Sequence, residues 1–288
     1  MGMRQKQKRS LFWHESYLLK PEVKKFYSTS PGAPSLGECK VIEKFIAQKK
    51  KKSKILILGA TPRYRDLAHR LKAEVTCVDI SLNMLQSMIS LMRNKNKAEE
   101  EIWVRSDWLK MPLAENYWDF VLGDLVICNV PYKLWNKFFK KIKEILSPNG
   151  FFITRVFRMY KSVKDKKKVF LNILKKFRGK IEYKNIYYLL WELNLAVYDS
   201  KTHQRSTTLI HKIASQAIKN LSDKSLKKDL NQLVKKLKDV IPPGKIWYGT
   251  DKKDLERKFK KFFKIVTIKY GTGHPYIETC PIYFLKKR

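Results

Sequence analysis

The stretch KILILGATPRYRDLAHRLKAEVTCVD, residues 54–79, decides the fold of this chain. It begins with a continuous apolar run at 55–58 that stops at Gly59, and a second predicted strand, which contains Val75, Cys77 and Val78, occupies residues 74–79. The residues between them, from about 63 to 72, have the composition of a helix. Continuous apolar strands separated by a helix are typical of a parallel sheet that is covered on both faces.

The same alternation continues on both sides of this stretch. We predict further helices at about 36–48, 81–92 and 133–146, and strands at 102–105, 118–123 and 151–157. Residues 160–240 contain helical patterns only, which predicts a helical insertion after the fifth strand. A last helix to about residue 263 and two strands at 264–270 and 281–285, with a hairpin-like break between them, complete the chain.

Composition bounds the class of protein. The 288 residues include 44% hydrophobic and 12% aromatic side chains, so the chain is not disordered as a whole. No apolar run has the length of a signal-peptide core or a membrane span, so we expect a soluble, cytoplasmic protein. The four cysteines show no metal-ligand spacing, and we predict no metal site.

The net charge of +36 is uneven along the chain. Residues 53–157 are nearly balanced, whereas most of the positive charge lies in residues 158–288. This basic segment suggests a polyanionic partner such as RNA. Lysine-rich composition from an AT-rich genome explains it equally well.

Small or acidic residues stand directly after four of the predicted strands, where open α/β sheets bind ligands. These residues are Gly59, Asp79, Asp107 with Trp108, and Gly123 with Asp124. Asp79 follows Gly59 by twenty residues, the spacing at which an acid accepts hydrogen bonds from ribose hydroxyls. Each position alone is a weak signal, but the ordered set predicts one site for an adenosine-containing ligand.

These stretches resemble the class I S-adenosylmethionine-dependent methyltransferases. The resemblance covers about residues 53–157 and 245–288, and it is carried by residues 55–62, 75–81, 105–108, 111–113, 118–124 and 145–151. It implies a Rossmann-like, mostly parallel seven-stranded sheet whose last strand is antiparallel, with helices on both faces. The implied division is a helical N-terminal lid or extension at 1–52, the cofactor-binding core at 53–157, an acceptor-recognition or dimer insertion at 158–244, and a helix and hairpin at 245–288.

The resemblance also implies roles for single residues toward S-adenosylmethionine. Gly59, Ala60 and Thr61 would cradle the methionine part, Asp79 would bind the ribose, and Ile80 and Met84 would flank the adenine. Asp107 would bind the adenine amine beside Trp108, and Gly123 and Asp124 would line the methionine amine and the acceptor pocket.

The first motif departs from the usual family pattern. Ile57 stands where an acid is usual, and residues 60–63 replace the later glycines, as in a subgroup with Gly-x-Thr-Pro-x-x-Arg. Arg63 or Arg65 would then bind the methionine carboxylate by a charge-assisted hydrogen bond. The alternative is that both are solvated helix arginines.

The acceptor is less defined by the sequence. Candidate pocket residues are Trp13, Tyr17, Asn129, Tyr132 and Arg155, while His274 has the context of a surface turn. Residues 129–132 resemble the Asn-x-Pro-Tyr element of adenine-N6 methyltransferases, but they follow strand four at an offset that favours an ordinary small-molecule loop. Trp13 and Tyr17 belong either to a lid over the cofactor or to a helix packed on the sheet edge.

Three functions are consistent with this sequence. The first is methyl transfer to a small or medium-sized acceptor, by in-line displacement at a sulfonium methyl that requires mainly alignment and exclusion of water. The second is RNA methylation through the basic segment, and the third is cofactor binding without catalysis. No metal is needed for any of them, and the oligomeric state stays open.

Overall fold

The computed structural model describes residues 21–48, 52–159 and 163–288. The helices are α1 Pro21–Ser28, α2 Leu36–Ile46, α3 Pro62–Arg70, α4 Leu82–Ile89, α5 Trp135–Ile145, α6 Lys166–Lys176, α7 Tyr183–Val197, α8 Thr207–Lys219, α9 Lys224–Val240 and α10 Lys252–Lys260. The strands are β1 Lys54–Leu58, β2 Glu74–Asp79, β3 Ile102–Arg105, β4 Trp118–Asp124, β5 Leu146–Arg155, β6 Gln204–Ser206, β7 Ile246–Tyr248, β8 Phe263–Lys269 and β9 Ile282–Lys287. Among these residues no helix combines the length and the apolar character needed to cross a membrane.

Seven strands form one sheet in the order β3-β2-β1-β4-β5-β9-β8. The first five strands are parallel, and β9 runs antiparallel to both of its neighbours. The predicted fold class is therefore confirmed. The chain moves from β1 toward one edge of the sheet and then returns to β4 on the other side of β1, which opens a cleft at their carboxyl ends.

Strand β1 shows why both faces of the sheet are covered. Leu56 and Leu58 pack toward the helices α5 and α10, whereas Ile55 and Ile57 pack toward α2, α3 and α4. All four side chains are almost completely buried. An amphipathic strand would leave one face to water, so the continuous apolar run correctly indicates a strand in the middle of the sheet.

The helices α6 to α9 share a hydrophobic core of their own, built from residues such as Phe170, Leu193 and Leu233. The prediction that residues 160–240 are only helical is wrong in one place, because β6 pairs with β7 as a small antiparallel sheet. Each of these strands has three residues, which is too short for a detectable period. The backbone leaves and rejoins the core at one point, where the N–H of Met159 donates to the carbonyl of Thr250 at 3.1 Å.

The connection between β8 and β9 packs closely against the beginning of α2. A Cβ added to Gly271 would lie 2.6 Å from the backbone nitrogen and Cα of Glu38. His274 follows in the same connection with a fully buried side chain, and its Nε2 lies 3.4 Å from a carboxylate oxygen of Glu38. The expectation of a surface histidine is therefore wrong, because α2 covers this turn.

We expect Gly271→Ala to lower the free energy of unfolding by about 1–3 kcal/mol, since the new methyl group would overlap backbone atoms that cannot rotate away. Urea denaturation measures the effect. Gly179→Asn is the comparison, because Gly179 has a φ of +72° with open space around it, and asparagine tolerates this conformation. Equal stabilities of the two variants would contradict the close packing.

Candidate active site

A cavity of about 810 Å³ opens at the carboxyl ends of β1, β2, β3 and β4. This volume lies in the upper part of the range for small-molecule sites. Its walls come from three parts of the chain: the strand ends, the segment between α1 and α2, and the helical segment that follows β5. Of the predicted site residues, it is lined by Gly59, Ala60, Thr61, Asp79, Ile80, Met84, Asp107, Trp108, Asp124 and Asn129.

Gly59 lines the cavity where the carboxyl ends of the strands form its wall. Its φ of +87° is in the left-handed region, which glycine adopts without strain. The position of a Cβ would lie 3.7 Å from both the Asp79 carboxylate and the Trp108 ring. The Trp108 indole is fixed by a hydrogen bond from its Nε1 to the carbonyl of Val78 at 2.8 Å. The backbone turn therefore leaves a narrow space between glycine, carboxylate and aromatic ring.

Asp79 places a half-buried carboxylate at this point. Its Oδ1 accepts a hydrogen bond from the N–H of Ser81 at 2.8 Å, which holds the side chain at the start of α4. Burial raises the pKa of Asp79 to about 6, and hydrogen bonds from Ser81 and Ile80 and the charge of Lys245 oppose this rise only in part. Such a carboxylate gains from additional hydrogen-bond donors, as a pair of ribose hydroxyls would provide.

Arg155 lies outside the cavity, contrary to the prediction of a pocket residue. Its Nε donates to Asp124 at 2.7 Å, its Nη1 to Glu38 at 3.1 Å and its Nη2 to the carbonyl of Pro31 at 2.8 Å. The side chain is completely buried between β5, α2 and the segment before α2. Its effect on the site is indirect, because it fixes Asp124, which does line the cavity.

Arg65 does not line the cavity either. Its guanidinium makes a bidentate bond to Glu101 at 2.6 and 2.9 Å and donates to the carbonyl of Leu85 at 2.9 Å. Arg63 points to the N-terminal side, where it donates to the carbonyls of Ser28 and Pro34. Both positions on α3 face away from the ligand space, so neither arginine provides the predicted carboxylate contact.

Two further predicted site residues, Tyr132 and Gly123, contact other parts of the protein and do not line the cavity. Tyr132 stacks on His203 with ring centroids 3.6 Å apart and donates its hydroxyl to Asp254 at 2.6 Å, so its ring is not available to stack on a base. Gly123 allows close packing instead, because a Cβ there would lie 2.5 Å from Val126. Trp13 and Tyr17 lie outside the described residues.

The helical segment and the small sheet supply the other wall of the cavity, and none of its residues was predicted. The wall includes Tyr187, Leu190, Trp191, Asn194, Arg205, Lys245 and Trp247. The aromatic richness of the second helix in this segment was the only available signal, and it fits a helix core equally well. The pairing of Arg205 in β6 with Trp247 in β7 has no local signal, since the two residues are far apart in sequence.

Comparison with known proteins identifies the core. Residues 59–154 match the family model described as a methyltransferase domain. Residues 59–154 therefore form a methyltransferase domain. The match covers the strand ends that line one side of the cavity. A search of curated proteins found no match.

Solved structures with the same fold span most of the methyltransferase chain. A Pyrococcus horikoshii protein is 14% identical with a TM-score of 0.56, covering 96% of this chain and 99% of that one. A Methanosarcina mazei S-adenosylmethionine-dependent methyltransferase is 13% identical with a TM-score of 0.51, covering 84% of this chain and 96% of that one. At such identities the likeness establishes the fold, and the acceptor must be inferred from the site itself.

Proposed function

We propose that this methyltransferase transfers the methyl group of S-adenosylmethionine to a small or medium-sized acceptor. The observation that carries the proposal is the cavity, whose acceptor half is walled by Trp191, Asn194 and Trp247. An aromatic-walled cavity of this volume has the size to surround a small molecule and to shield it from water.

The cofactor would occupy the other half of the cavity, at the ends of β1 to β4. Asp79 would accept hydrogen bonds from the ribose hydroxyls, and the left-handed turn at Gly59 leaves room for the ligand beside the carboxylate. Ile80, Met84, Asp107 and Trp108 would surround the adenine. The bound sulfonium supplies an electrophilic methyl group, so the protein mainly aligns the acceptor and excludes water.

Ala60 and Thr61 would hold the methionine part, with Asp124 accepting from its amine. The Asp124 carboxylate is fixed by the buried Arg155, so its position does not depend on the ligand. Because the Asp124 carboxylate is already held in place, ligand binding loses no conformational entropy of this side chain.

The lysines of the helical segment lie mainly on its outer side. In α9 the residues Leu230, Leu233 and Leu237 are buried, whereas lysines 228, 235 and 238 face outward. The positive charge that suggested RNA therefore does not line the cavity, apart from Arg205 and Lys245.

Transfer of a labelled methyl group tests the proposed function. The purified protein is incubated with methyl-labelled S-adenosylmethionine and, separately, with the small-molecule fraction and the total RNA of its source cells. We expect label in the small-molecule fraction alone. Label in RNA would replace the proposal by RNA methylation, and cofactor binding with no labelled product in either fraction would indicate a protein that does not act on small acceptors.

A further inference from the structure

Three arginines are almost completely buried in the described part of the chain: Arg65, Arg155 and Arg205. Arg65 is paired with Glu101 and Arg155 with Asp124 and Glu38. Burying a guanidinium is expensive unless a carboxylate compensates its charge, and these two follow that rule.

Arg205 departs from this rule. No carboxylate in the described ranges lies within ion-pair distance of it, and its Nε has no hydrogen-bond partner. Its Nη2 donates to the carbonyl of Tyr248 at 3.3 Å, and its other polar neighbour is the thiol of Cys128, whose pKa burial raises so that it stays uncharged. Burial lowers the pKa of Arg205 to about 10, so the side chain still carries a full charge at neutral pH.

The surroundings of Arg205 are aromatic and face the acceptor half of the cavity. Its guanidinium lies 4.3 Å from the centroid of the Phe157 ring and 5.8 Å from that of Trp247. Such contacts hold a cation in place but do not neutralise it. Arg205, Phe157 and Trp247 all line the cavity, so the unpaired charge borders the space that a ligand would fill.

Asn194 adds a second incomplete polar group in the same wall. Its amide nitrogen donates to the carbonyl of Leu190 at 3.0 Å, but its Oδ1 accepts no hydrogen bond although the side chain is buried. A buried acceptor without a donor is rare in folded proteins and indicates a missing partner. In this wall, a ligand could therefore bind to the positively charged guanidinium of Arg205 and donate a hydrogen bond to Oδ1 of Asn194.

We propose that Arg205 binds an anionic group, a carboxylate or a phosphate, of the methyl acceptor. This inference rests on the proposed function, because it assigns the acceptor half of the cavity to a small molecule. The guanidinium fork matches either anion with two parallel hydrogen bonds. The aromatic rings around it would hold the apolar body of the acceptor, and Asn194 would accept from a hydroxyl or amine on it.

Binding of three simple probes to the complex with S-adenosylhomocysteine tests this assignment. Benzoate and phenyl phosphate carry the two anions, and benzamide is the neutral counterpart. The fluorescence of Trp191 and Trp247, which line the cavity, reports binding. We expect benzoate or phenyl phosphate to bind about tenfold or more tightly than benzamide, and the tighter of the two identifies the anion.

Arg205→Met is expected to remove this preference while leaving the affinity for S-adenosylhomocysteine within about twofold. Its melting temperature should equal or exceed that of the wild type, because an uncompensated charge leaves an aromatic environment. Arg178→Met is the control, since Arg178 is an exposed arginine of the helical segment that pairs with Asp229. It should retain the anion preference.

Four results would contradict the assignment of Arg205 to the acceptor or the proposed function. Equal binding of all three probes to the wild type, or a lower melting temperature of Arg205→Met, would overturn the assignment and make Arg205 a structural residue. A loss of S-adenosylhomocysteine affinity of about tenfold in Arg205→Met would assign the charge to the cofactor's own carboxylate instead. Absence of S-adenosylhomocysteine binding to the wild type would overturn the proposed function itself.

Discussion

Asp79→Ala is expected to weaken the binding of S-adenosylhomocysteine by about 100-fold or more, the largest effect of any single change in the cofactor half. Two hydrogen bonds from ribose hydroxyls to a charged acceptor contribute about 1.5 kcal/mol each or more, and about 1.4 kcal/mol corresponds to a factor of ten. Isothermal titration calorimetry measures this loss. Asp223→Ala is the control, because Asp223 caps α9 at the surface.

The pH dependence gives a second sign of the same contact. Since burial raises the pKa of Asp79 to about 6, the carboxyl group is increasingly protonated below this pH and becomes a poorer acceptor. We expect the affinity for S-adenosylhomocysteine to fall as pH decreases through 6, and Asp79→Asn to remove this dependence. Unchanged affinity in both Asp79 variants would show that the ribose is bound elsewhere.

Asp79→Asn should stabilise the free protein at neutral pH, although it weakens the binding of S-adenosylhomocysteine. A carboxyl group whose pKa is raised by folding stabilises the protein below its unfolded pKa of 3.8, and this contribution is lost as pH rises through about 6. At neutral pH the ionised Asp79 therefore destabilises the free protein. We expect Asp79→Asn to raise the melting temperature without ligand while it lowers the affinity.

Arg155→Met is expected to lower the free energy of unfolding by about 3–5 kcal/mol, because it leaves Glu38 and Asp124 charged and buried without their common cation. Urea denaturation measures this change. Arg70→Met is the matched control, since Arg70 forms a partly exposed ion pair with Glu43, and such pairs contribute about 1 kcal/mol or less. A similar loss in both variants would contradict a special role for the buried pair.

Acid should weaken the same network from the carboxylate side. Burial alone would raise the pKa of Glu38, but the charge of Arg155 and hydrogen bonds from His274 and Ser35 outweigh it and hold the pKa at about 2. The stabilisation is therefore fully present above the ordinary value of 4.5 and is lost as pH falls through about 2. Glu38→Gln should make the unfolding free energy less dependent on pH in this window.

The sequence predicted the sheet and the residues at the strand ends that line the cavity, because both depend on local patterns. A continuous apolar run marks β1, and Val75, Cys77 and Val78 mark β2. The residues at the ends of these strands must lie at the carboxyl edge of a parallel sheet, as Gly59 and Asp79 do. Asp79 was predicted from its spacing of twenty residues beyond Gly59, and this spacing can be read without knowing which distant residues are in contact.

The acceptor half depends on contacts between distant segments, which no local pattern encodes. Arg205 lines the cavity only because β6 pairs with β7 at a separation of some forty residues. The prediction that Arg65 contacts the ligand was wrong for the same reason, because the side chain of Arg65 turns toward Glu101, which is distant in sequence. Tyr132 likewise turns toward Asp254 in α10, and its motif gave no indication of that partner.

The hydrogen bond between Met159 and Thr250 brings the two ends of the helical segment together at the edge of the core. Because the helical segment leaves and rejoins the core at adjacent residues, its replacement by another segment would not require the sheet to change. The core would keep the methyl donor while the exchanged segment set the chemistry of the acceptor. Under the proposed function, a related segment grafted between these two residues would alter what is methylated without rebuilding the part that supplies the methyl group.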